Sequence, residues 1–268
     1  STRKGSEIDY NGQPAGYTLD PQETVNYVSK HDNQTLWDNN QYKFASSLSV
    51  ADRVRLHLVA LSVPLFSQGV PFIHLGSDIL RSKSMQRDSY DSGDWFNAVD
   101  FSYQDNNWNK GLPRADKDGD NWPLIRRIIV DPQAKPGSAD IVAAKRRFLE
   151  LLSIRSDSPL FQLESAREVQ RRLQFHNTGP EQLPGVIAFS LADNPREGRD
   201  LDRRYSALMV VINASDKRVR LPAADGYRLH PVLKDSVDPI NRQATVSNGM
   251  FEVPAFTTTV FVQPQPRR

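Results

Sequence analysis

The 268 residues predict an α/β portion followed by an all-β portion, and three observations support this. Up to Ser158-Pro159, strand-like and helical patterns alternate. Beyond that point come only short apolar runs separated by turn clusters. The composition, 38% hydrophobic and 25% charged, is that of ordinary globular domains, and the length suits one large domain or two ordinary ones.

Residues 5–22 are rich in Gly, Pro, Asn and Asp and predict a loop. Glu23–Ser29 has strand composition and runs into Lys30-His31-Asp32-Asn33. Leu48–Val63 predicts a helix, with Ser49 as its cap and Val50, Val54, Leu58 and Leu61 on one face. Pro64 is expected to end or kink it. Gly69–Gly76 is a second short apolar run and fits a buried parallel strand. About 60 polar residues follow before a helix near Ala139–Arg155, whose apolar stripe is Ile141, Ala144, Phe148, Leu151 and Leu152. This long loop contains Trp95, Trp108 and Trp122, three of the four tryptophans, which argues for order and a function.

After Ser158-Pro159 the strand-like runs are Val169–Asn177, Gly185–Leu191, Tyr205–Asn213, Val219–Leu221, Tyr227–Leu233 and Met250–Val262. Turn clusters such as Asn177-Thr178-Gly179-Pro180 and Ser247-Asn248-Gly249 separate them, the pattern of an antiparallel β-sandwich.

Composition excludes several function classes. Lys and Arg number 34 against 32 Asp and Glu, a net charge of +2, and the Arg doublets at 126–127, 146–147, 171–172 and 203–204 are scattered. Neither favours a nucleic-acid partner. No apolar run approaches the roughly 20 residues of a membrane helix. The absence of cysteine excludes disulfides and thiolate chemistry and leaves the compartment open. The opening Ser1-Thr2-Arg3-Lys4-Gly5 reads as the interior of a longer protein, so a missing amino-terminal part is an expected partner.

The sharpest feature is Tyr27-Val28-Ser29-Lys30-His31-Asp32-Asn33-Gln34-Thr35-Leu36. A His-Asp pair just past a buried parallel strand lies where α/β barrels hold their active sites. Spacing alone leaves Asp32 as nucleophile, base, metal ligand or electrostatic stabiliser, or His31 and Asp32 as caps of the turn. His57, His176 and His230 are too scattered for a metal site, and no GxSxG, P-loop or GxGxxG run occurs.

The run NYVSKHDNQTLWD resembles the fourth conserved region of the alpha-amylase superfamily in its debranching form. The segments GVPFIHLGSDILRSKSMQRDSYDSGDWFN, NNWNKGLP, DNWPLI, SPLFQL and FHNTGP are similar to the pullulanase and limit-dextrinase type, and the likeness covers essentially the whole chain. It implies the last strands and helices of a (β/α)8 TIM barrel over residues 1–163 and a C-terminal β-sandwich over 164–268. It also implies a retaining α-1,6-glucosidase acting on pullulan, amylopectin and limit dextrins, with an Asp nucleophile and a Glu acid/base about 5 Å apart. Those two belong to the family's fourth and fifth barrel strands, whose motifs are absent here, so the chain alone should hydrolyse nothing. By the same resemblance, Asp32 matches the third carboxylate, which bonds hydroxyls of the sugar at subsite −1, and His31 the histidine that bonds the same sugar.

Sugars present apolar C–H faces and rings of hydroxyls, which suit aromatic platforms and bidentate groups. By position in the family pattern, Arg87 and Asp120 are the best candidates for contacts beyond the cleaved bond, with Asn33, Asp91, Trp95 and Asn107 behind them. The competing expectation for Trp95 and Phe96 is that they form the loop's own small core. His74 is expected within the second strand as a satisfied barrel histidine, and Asp78 stands where relatives often carry Glu. No organic cofactor is implied. Calcium is left open for the longer protein, without a ligand set here. The rival functions are an isoamylase- or amylase-like specificity, and a non-catalytic glucan-binding module or degenerate paralogue.

Overall fold

The computed structural model describes residues 4–193 and 199–266, so Ser1–Arg3 of the predicted opening lie outside the described residues. The amino-terminal half carries β1 (Asp9–Tyr10), β2 (Gln13–Pro14), β3 (Val25–Asn26), α1 (Leu36–Gln41), α2 (Val50–Phe66) and β4 (Val70–Pro71). Then come α3 (Asp94–Asn97), α4 (Ala115–Asp118), α5 (Trp122–Ile129), α6 (Ser138–Asp157) and α7 (Ala166–Arg172). The remainder is β5 (Leu173–Phe175), β6 (Val186–Ala192), β7 (Tyr205–Asn213), β8 (Val219–Pro222), β9 (Arg228–Leu229), α8 (Pro231–Lys234), β10 (Thr245–Ser247), β11 (Met250–Val253) and β12 (Thr257–Pro264).

Two antiparallel sheets occupy the carboxyl-terminal part, one ordered β5-β6-β7-β12-β9 and the other β10-β11-β8. Strand alternation on β12 sorts what packs on each face of the larger sheet. Thr258 meets Ser62 of α2 through a buried 2.6 Å hydroxyl pair. Phe261 points the other way and packs on Phe251 of the smaller sheet, with ring centroids 4.7 Å apart. One buried cluster runs from Leu36 and Trp37 through Leu61, Phe148 and Leu151 to Val210 and Phe261. The helices and sheets therefore share a continuous core.

β3 and β4 pair in parallel, Val25 with Val70 and Asn26 with Pro71, and α2 crosses between them. The predicted buried strands are only two residues each in the ladder, and they are not buried: Val25, Tyr27, Val70, Phe72 and Leu75 are all exposed. Among the described residues nothing covers this face, which accounts for both the short ladder and the exposure.

Other boundaries differ for local reasons. Pro64 does not stop α2, which continues to Phe66; the Ser67 amide then bonds the Val63 carbonyl at 3.1 Å and closes the last turn. Ser49 caps the helix as expected, accepting from the Asp52 amide at 3.2 Å. On α6 the stripe holds for Ile141, Ala144, Phe148 and Leu151, but Leu152 is exposed and Ile154 takes the buried place.

The run expected as strand at Val169–Asn177 begins as helix α7. Ser165 accepts from the Glu168 amide at 3.3 Å, a capping signal that outweighs the strand composition. Tyr227–Leu233 splits into β9 and α8, and Met250–Val262 is broken at Pro254, which cannot donate to a ladder. β10 was not anticipated. It forms a hairpin with β11 through Asn248 (φ 50°) and Gly249 (φ 68°), the left-handed pair of a two-residue turn. The loop predicted over residues 5–22 likewise contains the β1–β2 hairpin, turned by Asn11 and Gly12. The long polar stretch holds α3, α4 and α5 rather than loop alone.

Candidate functional site

Two segments leave the carboxyl ends of β3 and β4 side by side. The Phe72 amide donates to the Asn26 carbonyl at 2.8 Å, extending the pairing by one step. Tyr27 and Phe72 meet edge to face at 6.2 Å. Past them, Ser29 Oγ lies 3.4 Å from His74 Nδ1. His74 thus sits three residues beyond β4, not within a strand, and is half-buried. Burial, with Arg81 and Lys83 nearby, lowers its pKa to about 4.

The next residues turn outward. Asp32 has 57% of its side chain exposed and His31 81%. Lys30 Nζ donates to Asp32 Oδ2, and His31 Nδ1 lies 3.2 Å from Asp32 Oδ1. The hydrogen bond from Lys30, aided by the charges of His31 and Lys83, holds the Asp32 carboxyl below its usual range, so it is ionised at neutral pH. The helix that follows is capped by Thr35, which accepts from the Asp38 amide at 3.2 Å. Asn33 adopts a left-handed φ of 61°, reversing the chain into α1 and leaving its side chain exposed. The buried Leu36 and Trp37 then pin that short helix to the core.

Beneath the turn lies a carboxylate missed by the sequence reading. Asp38 is fully buried and accepts from Ser82 Oγ at 2.5 Å, the Lys83 amide at 2.8 Å and the Met85 amide at 3.2 Å. Its burial raises the carboxyl pKa to about 6. The segment it gathers is strained: Leu80, Ser84 and Met85 all have left-handed φ between 51° and 65°. Lys83, also buried, extends from this segment and donates to the His31 carbonyl at 3.0 Å. Arg81 adds bonds to the Leu75 carbonyl at 3.1 Å and the Asn97 carbonyl at 2.7 Å. The pattern Thr35-x-x-Asp38 at a helix start was the available signal for Asp38, whereas the Arg81–Ser84 run has no periodicity that would have marked Lys83.

The other sequence candidates divide into surface and scaffold. Arg87 is exposed, its Nε 3.9 Å from the buried Asp118. Asp120 is exposed in the turn Gly119–Asn121. Asp91 is exposed and paired with Arg114 at 2.8 Å. Trp95 is 60% exposed, against the expectation that it joins a loop core; Phe96 alone takes that place, and the Trp95 ring covers Gly93 instead. Asn107 is buried with a φ of 69°, and its amide donates to the carbonyls of Trp95 (2.8 Å) and Phe96 (3.2 Å). It therefore holds the loop's shape from inside. Asp78 lies half-buried in the 3-10 turn Ser77–Ile79.

His57 fastens α2 to this region. Its Nε2 donates to the Ser77 carbonyl at 2.7 Å, its ring lies 5.7 Å from Trp37, and its Nδ1 has no partner among the described residues. Burial lowers its pKa from 6.5 to about 4. The unfolded chain thus takes up a proton at higher pH than the folded one, and stability is lost as pH falls from 6.5 toward 4. His57→Gln, which keeps a donor, is expected to lose roughly 2–3 kcal/mol less stability than the parent across that window, measured by urea denaturation at each pH. Parallel pH curves for the two proteins would refute the assignment.

Among the described residues no group of three or more His, Cys, Asp or Glu side chains is placed to hold a metal, and no helix is long and apolar enough to cross a membrane.

Residues 103–264 match the family model described as alpha-1,6-glucosidases, pullulanase-type, C-terminal. The chain is 46% identical to pullulanase 1, chloroplastic, of Arabidopsis thaliana, over 97% of its own length and 28% of that protein. It is 43% identical to the pullulanase of Klebsiella pneumoniae, over 99% of its length and 25% of that protein. Among solved structures, the Klebsiella pneumoniae pullulanase complexed with maltotriose superposes with a TM-score of 0.90 at 40% identity, covering 99% of this chain and 26% of that one. The chain thus spans about a quarter of the length of these relatives.

Proposed function

Since the chain belongs to the pullulanase-type alpha-1,6-glucosidase C-terminal family, we propose that it is the carboxyl-terminal part of a starch-debranching retaining hydrolase that cleaves α-1,6 linkages in pullulan, amylopectin and limit dextrins. The observation that carries this is the continuous identity to plant and bacterial pullulanases along nearly all of the chain.

In this account β3 and β4 are neighbouring strands of a (β/α)8 barrel, and α2 and α6 are two of its helices. The parallel register, the 17-residue crossover helix and the bare apolar face support it. Residues 1–163 then belong to the barrel and 164–268 to the sandwich. That division is supported by the two antiparallel sheets, which draw every strand from residue 173 onward. Polypeptide outside these residues completes the barrel and brings the nucleophile Asp and the acid/base Glu.

The chemistry assigns roles to the side chains described. Hydrolysis passes through an oxocarbenium-like state in which the sugar ring flattens and positive charge grows near its anomeric carbon. Asp32, ionised and facing outward, accepts hydrogen bonds from the hydroxyls of that sugar and strengthens them as the ring distorts. His31 bonds the same sugar and stays a binding group. Arg87 and Asp120 contact sugars farther along the glucan, with Asn33, Asp91 and Trp95 at the margins. Asn107 contributes through the shape of the loop.

Arg87→Ala in the full-length protein is expected to raise KM for pullulan several-fold while kcat stays within about twofold, because its contact is equal in ground and transition states. A fall in kcat with KM unchanged would move Arg87 to the reacting centre. A non-catalytic glucan-binding role makes a different prediction, read from the gene: the preceding segments matching the fourth and fifth strands would lack their Asp and Glu. Finding both carboxylates there supports hydrolysis; finding neither overturns it.

A further inference from the structure

We propose that Lys83 is a positioning residue for the His31–Asp32 turn, aimed by the buried Asp38 carboxylate. The proposal rests on the hydrolase assignment of Asp32 made above.

Three features of the geometry point this way. Lys83 is buried, which is costly for an ammonium without a specific bond, and its Nζ reaches the His31 carbonyl at 3.0 Å. That carbonyl belongs to the peptide joining His31 to Asp32, so the bond fixes the orientation from which the Asp32 side chain projects. Lys83 is itself held from behind, its own amide bonded to Asp38 Oδ2 at 2.8 Å and the following turn locked in left-handed backbone by the Met85 amide on the same oxygen. The result is a relay of fixed bonds: the core carboxylate orders the Lys83 backbone, and the Lys83 ammonium orders the turn. The otherwise exposed His31–Asp32 segment has few other anchors of this kind; the Lys30–Asp32 pair lies on the surface and gives little rigidity.

A merely structural lysine and a positioning one differ in how their loss combines with loss of Asp32. The test uses the full-length enzyme with pullulan as substrate, comparing Lys83→Met, Asp32→Asn and the double variant. Lys83→Met is expected to lower kcat by about 10–100-fold, with KM within about twofold, since a displacement near 1 Å at a reacting group carries a cost of that order. In the Asp32→Asn background the same change is expected to cost less than about threefold, because the group it positions is already disabled. Fully multiplicative effects, or wild-type kcat in Lys83→Met while Asp32→Asn is disabled, would overturn the positioning role and leave the hydrolase assignment standing. Wild-type turnover in Asp32→Asn would remove the assignment and the positioning role together. Should Lys83→Met fail to fold, Lys83→Gln, which keeps a shorter donor, gives the same comparison.

Discussion

Asp32→Asn in the full-length protein is expected to cut kcat on pullulan by roughly 10²–10³-fold, the size of effect seen when a preorganised electrostatic group is removed from a reacting centre. The two side chains have nearly the same shape, so the change isolates charge. Asp32 is more than half exposed and, among the described residues, is bonded to its sequence neighbours Lys30 and His31. The fold should therefore be untouched, with circular dichroism and thermal midpoint unchanged. Maltotriose binding, measured by calorimetry, should weaken far less than turnover, because the lost bonds matter most when the ring distorts. Turnover within a few-fold of the parent would show that Asp32 has no part in the chemistry.

The second large effect is expected at Asp38, and it falls on stability first. Asp38→Ala takes from the Lys83 and Met85 amides and the Ser82 hydroxyl their shared buried acceptor. Each orphaned donor costs about 1–3 kcal/mol, and the left-handed backbone at Ser84 and Met85 loses what stabilises it, so the loss should total at least about 3 kcal/mol. Hydrogen exchange would read this locally, through faster exchange at the Lys83 and Met85 amides, and urea denaturation would read it globally. Slow exchange at both amides and a stability within about 0.5 kcal/mol of the parent would contradict the role given to the carboxylate.

How much of this was legible in the sequence depends on the range of the forces involved. Tyr205–Asn213 came out with its exact bounds, and α2 and α6 within a few residues, because a long apolar periodicity records burial directly. β3 and β4 were legible as strands but not as exposed ones, since an apolar run anticipates burial and nothing among the described residues covers these side chains. Local capping chemistry decided α7 against a strand-like composition, and its signal, Ser165 followed by Glu168, was available to be used. In the site, the His31–Asp32 turn stood out because a polar pair after a strand is conspicuous. The Asp38–Lys83–His31 connection did not, because it joins residues 45 and 52 positions apart through bonds that leave no periodic trace. Trp95 and Phe96 are adjacent aromatics with opposite fates: Phe96 is buried beside Gly111, while Trp95 lies exposed over Gly93.

Hydrolysis of pullulan compared with linear amylose by the full-length protein tests the central claim most directly. Release of new reducing ends from pullulan, with little or none from amylose, is the predicted result, since only pullulan offers the α-1,6 bond. Turnover of amylose at or above the pullulan rate, or hydrolysis of neither glucan, would contradict it.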